Sequence, residues 1–153
     1  MQLEDLLIKN TIAARLLLST REEIIQKAGE LLVEADMVEP RYIQAMKRVM
    51  DELGPYCVIA PGIALLHARP EDGVKQACIS LITLQYPVKF GHSTNDPVDI
   101  VFTLGAKDKQ GHIEALAELA GYLSKEEFLQ MIRACENSQA LQKAIFDYIK
   151  SRK

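Results

Sequence analysis

The sequence predicts a single α/β domain in which a mixed sheet of about five strands lies between helices. Segments with helical periodicity occupy both ends of the chain, and short apolar segments rich in β-branched residues gather in its middle. The 153 residues contain no repeat, low-complexity tract or long linker. We therefore expect residues 1–153 to form one domain, with helices covering both faces of a central sheet.

Two amphipathic helices are predicted in the first third of the chain. Thr20 and Glu23 have the spacing of a capping box. The apolar positions that follow are Ile24, Ile25, Ala28, Leu31, Leu32 and Ala35. A second helix should begin at Pro40, which suits a first turn, and end at Gly54-Pro55. Its apolar positions are Tyr42, Ile43, Met46, Val49, Met50 and Leu53. Before both helices, residues 12–18 are predicted as a strand, with a helix as the alternative.

The middle of the chain has the composition of buried strands. The predicted strands are residues 57–60, 63–68, 77–84 and 98–104, and residues 88–90 are predicted as a short edge strand. Pro61-Gly62 is a turn signal between the first two. These segments account for the sheet.

Helical periodicity returns after Gly105. One stripe contains Ile113, Leu116, Ala117, Ala120 and Leu123. Ser124 and Glu127 have capping-box spacing and should open a helix that contains Phe128, Leu129 and Ile132. A last helix contains Leu141, Ala144, Ile145, Tyr148 and Ile149. We expect every one of these apolar stripes to face the core.

Composition excludes several classes of protein. Hydrophobic residues make up 48% and charged residues 25% of the chain, which is typical of a globular domain and not of a disordered one. The net charge of −3 gives no reason to expect nucleic acid or an anionic membrane as partner. Three cysteines without a CxxC pair predict free, buried thiols in a reducing compartment. No signal peptide or membrane-spanning stretch is evident, so a cytoplasmic location is expected.

His67 is the first candidate for chemistry. It ends an apolar segment and is followed by a polar loop, which is where α/β sheets usually present functional side chains. Imidazole is a good nucleophile near neutral pH. Arg69 offers a guanidinium suited to a phosphate or carboxylate. The alternative is structural: His67 hydrogen-bonds the loop, and Arg69 pairs with Glu71 or Asp72.

The other two histidines are weaker candidates. His112 is predicted at the start of a helix, where free backbone N–H groups favour an anion. His92 lies in a predicted turn. A metal-dependent hydrolase using His67, His92 and His112 is an alternative, but their spacing matches no compact ligand motif, so neither metal nor other cofactor is expected. Phosphate-loop, dinucleotide-binding and serine-hydrolase motifs are absent from the sequence.

Four segments together resemble a known family. They are residues 54–74 (GPYCVIAPGIALLHARPEDGV), residues 35–42 (ADMVEPRY), residues 95–100 (NDPVDI) and residues 111–113 (GHI) with the leucine-rich stretch after them. In this order they resemble IIA proteins of the bacterial phosphoenolpyruvate-dependent sugar phosphotransferase system. The branch is the fructose–mannitol one, and the VEPRY and NDPVDI stretches look most like the ascorbate-type subgroup.

The resemblance implies a phosphocarrier. His67 matches the histidine that accepts a phosphoryl group from phospho-HPr on Nε2. That histidine passes the group to a cysteine of a separate IIB protein, which acts with a membrane IIC component during sugar uptake. His112 matches a second histidine that steadies the phosphoryl group. Arg69 is the candidate cation for that group.

The chain departs from the family pattern at two positions. Leu66 stands where many relatives have proline before the active histidine. Val49 stands where mannitol-type relatives have an arginine, with Arg48 beside it on a different predicted helical face. The alternative within the family is a regulatory protein whose His67 phosphorylation state controls a protein partner.

Overall fold

The computed structural model describes residues 1–152 and confirms the predicted single-domain α/β class. Five strands form one mixed sheet: β1 (Leu7–Leu16), β2 (Val58–Ala60), β3 (Ile63–His67), β4 (Cys78–Val88) and β5 (Val98–Gly105). The helices are α1 (Leu3–Leu6), α2 (Arg21–Glu34), α3 (Arg41–Leu53), α4 (Lys109–Leu123), α5 (Glu126–Ala134) and α6 (Ser138–Ser151).

The strands lie in the order β1-β4-β5-β3-β2. β1 is parallel to β4 and β3 is parallel to β5, whereas β4 and β5 are antiparallel. The carboxyl ends of β3 and β5 therefore lie beside the amino end of β4. We call this side of the sheet the His67 end and the opposite side, where β3 begins, the Gly62 end.

Helices cover both faces of the sheet because strand residues alternate between two apolar cores. Val101 and Leu66 belong to the core beneath α2 and α3. Phe102 and Leu65 belong to the core beneath α1, α4, α5 and α6. This alternation directs His67, two residues after Leu65, toward the α4 face.

The strand predictions hold with two differences. β1 is a strand, as favoured, but it begins at Leu7 because it pairs with β4 from Leu7 onward. The separate edge strand at residues 88–90 is wrong. β4 continues to Val88, where pairing with Val98 resumes after a register shift.

Of the two capping boxes predicted at helix starts, one is confirmed and one is wrong. The Glu23 amide donates to the Thr20 hydroxyl at 3.2 Å, and the Thr20 amide donates to the Glu23 carboxylate at 3.1 Å. Ser124 does not open α5. Its hydroxyl donates to the Gly121 carbonyl at 2.9 Å and the residue ends α4 instead.

The expectation that every apolar stripe faces the core is wrong for α4. Only Ala115 and Leu119 of this helix are buried. Four of the five stripe residues are exposed, namely Ile113, Leu116, Ala117 and Ala120. Leu53, predicted as a core residue at the end of α3, is also exposed. These exposed residues matter for the site described below.

All three cysteines are free thiols, as predicted. Cys78 is fully buried, but Cys57 and Cys135 are only half-buried, so the prediction of burial is wrong for these two. Burial raises the pKa of Cys57 to about 11 and that of Cys78 to about 12, so both thiols stay protonated near neutral pH. Within residues 1–152, no helix has the length and apolar character needed to span a bilayer.

Candidate functional site

His67 is the last residue of β3 and is exposed at the His67 end. Its backbone pairs with that of Leu104 on β5, which is the last pair of the parallel ladder. A one-turn helix follows at Pro70–Asp72. The predicted transition from apolar strand to polar loop at His67 is therefore present.

The fold brings His67 and His112 together although 44 residues separate them in the chain. β5 ends beside His67, and the connection after Gly105 leads directly into α4. His112 lies in the first turn and a half of that helix. The two imidazole centroids are 5.2 Å apart, with ring planes inclined by 48°.

The environment of His67 lowers the pKa of its imidazole from the usual 6.5. Partial burial of the ring is the largest cause, and the nearby His112 adds to it, while a backbone hydrogen bond with Leu65 opposes the shift. At neutral pH the ring is therefore mostly uncharged. A neutral imidazole retains the lone pair that attack on phosphorus requires.

An apolar cavity of about 320 Å³ opens beside His67 between α3 and the sheet edge. Its lining residues include Met46, Val49, Met50, Leu53, Tyr56, Cys57, Ile59, Leu65 and Leu66. Leu53, Tyr56 and Ile59 are exposed. On the other side of the site, Ile113 directly follows His112 and is exposed as well. We call Leu53, Tyr56, Ile59, Ile113 and Leu116 the apolar rim.

A second cleft beside His67 has a mixed lining that includes two arginines and two acidic side chains, and we call it the polar cleft. Arg48, Glu52, His67, Arg69 and Asp72 are among its lining residues. The Arg69 Nε atom lies 3.6 Å from Glu71 and 3.8 Å from Asp72, so the predicted structural alternative for this side chain is what the structure contains. Arg48 forms no ion pair with any residue in the range 1–152.

Arg48 lines the cleft beside His67, although sequence reasoning placed it on a different helical face from Val49. Helical periodicity places Arg48 and Val49 about 100° apart, which argues for different faces. The polar cleft is nevertheless lined by both residues. The available signal was the length of an arginine side chain, which reaches past its own helical face.

The start of α4 is less open to an anion than predicted. The Asp108 carboxylate already accepts the Gly111 amide at 2.7 Å, and the Asp108 carbonyl accepts the His112 amide at 3.0 Å. The imidazole of His112, rather than these amides, faces His67.

His92 does not join the other two histidines. Its Nδ1 atom accepts the amides of Thr94 and Asn95 at 3.1 and 3.0 Å, and the same loop bonds Gly62 at the start of β3. It therefore lies at the Gly62 end, roughly 16 Å of strand from His67. No three His, Cys, Asp or Glu side chains among the described residues are grouped to hold a metal ion.

Known proteins are similar to this chain in sequence and in fold. The ascorbate-specific PTS system EIIA component of Escherichia coli K12 is 43% identical over 141 residues, covering 91% of this chain and 92% of that protein. The mannitol-specific cryptic phosphotransferase enzyme IIA of E. coli superposes with a TM-score of 0.84 at 30% identity, covering 95% and 98% of the two chains.

A third relative has been solved with a partner. The IIA chain in the complex of enzyme IIA and phosphorylated enzyme IIB for mannitol from E. coli has a TM-score of 0.76 at 25% identity, covering 90% of this chain and 95% of that one. Residues 5–148 match the sequence model of the EIIA 2 family. The chain belongs to the family described as phosphoenolpyruvate-dependent sugar phosphotransferase system, EIIA 2.

Proposed function

We propose that this protein is a phosphocarrier that accepts a phosphoryl group on Nε2 of His67 from phospho-HPr and passes it to a cysteine of a IIB protein. The observation that supports this most is the pairing of His67 and His112 at an exposed strand end in a member of the EIIA 2 family. The lowered pKa of His67 supplies a neutral nucleophile.

Each transfer is a balanced exchange of one bond to phosphorus. The N–P bond of the donor breaks as the lone pair of His67 forms a new N–P bond. The second step reverses the role of His67, which leaves as a cysteine thiolate of IIB forms an S–P bond. Such transfers need alignment and charge stabilisation more than covalent machinery.

Two side chains are proposed to stabilise the phosphoryl oxygens. His112 is close enough to donate an N–H once the phosphoryl group is attached to His67. Arg48 is the proposed cation, because it lines the polar cleft and is not engaged by an acidic side chain. Arg69 remains the second candidate, although Glu71 and Asp72 already compete for its guanidinium.

The apolar rim is proposed as the contact surface for both HPr and IIB. Leu53, Tyr56 and Ile59, from the end of α3 to β2, flank His67, and Ile113 and Leu116 lie on α4 with His112. Their exposure would be unfavourable without a partner. A surface of this kind also excludes water from the transfer site in the complex, which limits hydrolysis.

The substrate of the pathway is proposed to be ascorbate. The 43% identity to an ascorbate-specific relative supports this assignment and favours transport over a purely regulatory role. The IIB partner should therefore be of the ascorbate type, with a IIC component in the membrane. The proposed site of action is the cytoplasm.

A reconstituted relay tests the proposal. The protein is incubated with phosphoenolpyruvate, enzyme I and HPr, and its intact mass is measured. We expect one acid-labile phosphoryl group that is lost in His67→Ala and retained in His92→Ala, the control at the Gly62 end. A folded protein that gains no phosphoryl group, or gains one in His67→Ala, contradicts the proposal.

A second step tests the partner. The phosphorylated protein is mixed with a IIB protein of ascorbate type or of mannitol type, and loss of the phosphoryl group is followed by mass. Faster transfer to the ascorbate-type IIB is expected. Equal or faster transfer to the mannitol-type protein would contradict the ascorbate assignment while leaving the carrier role intact.

A further inference from the structure

A buried tyrosine hydroxyl lies where the parallel ladder between β3 and β5 ends. Tyr42, from the first turn of α3, has no solvent exposure. Its hydroxyl donates to the Leu104 carbonyl at 2.7 Å and accepts the Ala68 amide at 2.9 Å, with a longer 3.5 Å approach to the Ala68 carbonyl. One side chain thus connects two backbone segments.

The Tyr42 hydroxyl bridges the backbones of the two strands at the point where their direct pairing ends. Backbone pairing between the strands runs from Ile63 and Ile100 to His67 and Leu104 and then ends. Beyond this point the Ala68 amide and the Leu104 carbonyl are buried polar groups that need partners. Tyr42 satisfies both and so continues the connection by one position.

These two backbone groups adjoin the segments that hold the site. Ala68 directly follows His67, and Leu104 is the last residue but one of β5, which connects to α4, where His112 lies. Burial raises the pKa of Tyr42 far above its usual range, so the hydroxyl keeps its proton for Leu104. Tyr42 therefore connects the backbone next to His67 with the strand that leads to His112.

We propose that Tyr42 is a positioning residue for phosphoryl transfer, holding Ala68 against Leu104 and thereby fixing His67 relative to His112. This inference rests on the proposed function. Tyr42 touches neither imidazole in this role; it acts through the backbone on either side of them. Small errors of alignment strongly reduce the rate of group transfer, so loss of this positioning should slow phosphorylation of His67.

The test compares Tyr42→Phe with Thr11→Val. Thr11 is a matched control because its buried hydroxyl also accepts an amide, that of Ile8 at 3.2 Å, and donates to a carbonyl, that of Ile79 at 2.9 Å. It lies on β1, at the opposite edge of the sheet. Both variants lose one bridging hydroxyl, so both should lower the melting temperature.

Only Tyr42→Phe should alter the site. We expect its kcat for phosphorylation by phospho-HPr to fall roughly tenfold with KM unchanged. The imidazole NMR signals of His67 and His112 should shift in the same variant. Wild-type kinetics and imidazole signals in Tyr42→Phe, or an equal loss of kcat in Thr11→Val, would overturn the inference.

Two measurements keep the inference separable from the proposed function and from misfolding. The imidazole signals are recorded on the unphosphorylated protein, so they test positioning even if the wild-type protein accepts no phosphoryl group. Failure of the wild-type protein to accept a phosphoryl group would refute only the carrier role. Amide exchange of Ala68 in wild-type protein needs no variant. Slow exchange is expected, and rapid exchange would show that the bond to Tyr42 does not hold.

Discussion

The two ends of the sheet contain the same kinds of side chain in opposite states. At the Gly62 end, His92 accepts two amides of its own loop, and Arg133 is paired with Asp99 at 2.8 Å. At the His67 end, His67 faces another imidazole, and Arg48 has no acidic partner within residues 1–152. Residue type alone would not separate the two ends.

The difference teaches how structural and functional polar groups can be told apart. At the Gly62 end His92, Asp99 and Arg133 are each bonded to a specific neighbour, as buried polar groups usually are. The Arg133 guanidinium and the Asp99 carboxylate even fill the space that a side chain at Gly62 would need. At the His67 end the proposed nucleophile and cation are not used in this way, and an apolar cavity opens beside His67, which fits the proposal that a partner protein completes the site.

Among substitutions that compare the two ends, replacing an exposed apolar residue at the His67 end should reduce phosphoryl transfer the most. Ile113→Asn removes one member of the apolar rim without adding charge near the phosphoryl group. We expect kcat/KM for phosphorylation by phospho-HPr to fall about 30-fold, corresponding to roughly 2 kcal/mol for a central contact residue. The measurement is the initial rate at several HPr concentrations.

Leu17→Asn is the matched control for this substitution. Leu17 is also an exposed aliphatic residue, but it follows β1 at the Gly62 end. Its kcat/KM should match that of wild-type protein. If both variants lose activity equally, or neither does, the functional contrast between the two ends is wrong.

A smaller effect should separate the two arginines of the polar cleft. Arg48→Ala is expected to slow phosphoryl transfer to His67 about tenfold, since a charge-assisted hydrogen bond contributes roughly 1.5 kcal/mol. Arg69→Ala should change the rate less than about twofold, because its side chain is 76% exposed and already faces Glu71 and Asp72. Single-turnover rates with phospho-HPr decide between them. The reverse order would assign the phosphoryl contact to Arg69.

The sequence predicted most of the elements because their signals are local. The Thr20 capping box and the β-branched segments depend on residues close in the chain, and both were found. The α4 stripe was misassigned for a physical reason: periodicity reveals that a helix has an apolar face but not what covers it. The apolar face of α2 packs on the sheet of the same chain. The apolar stripe of α4 is mostly exposed, and none of the described residues covers it.

The residues proposed for the site could be named from the sequence, but their geometry could not. His67 stood out as a strand end, but its contact with His112 depends on the parallel pairing of β3 with β5. That pairing is non-local, and residue spacing does not encode it. The proposed roles of Arg48 and Tyr42 depend on the same tertiary arrangement, which periodicity alone could not reveal.

The smallest expected effect is that of pH on the phosphorylation rate. Its measurement tests whether the surroundings of His67 keep the imidazole of His67 neutral. Because the pKa of His67 is lowered below 6.5, the imidazole of His67 is uncharged in more than half of the molecules at pH 6.5. The phosphorylation rate at pH 6.5 should therefore exceed half its value at pH 8 and fall only at lower pH. In His112→Ala, the NMR titration midpoint of His67 should rise, since His112 lowers the pKa of His67 electrostatically and its removal admits water. A wild-type midpoint above 6.5, or a fall in the midpoint without His112, would show that the two rings do not interact as their geometry indicates.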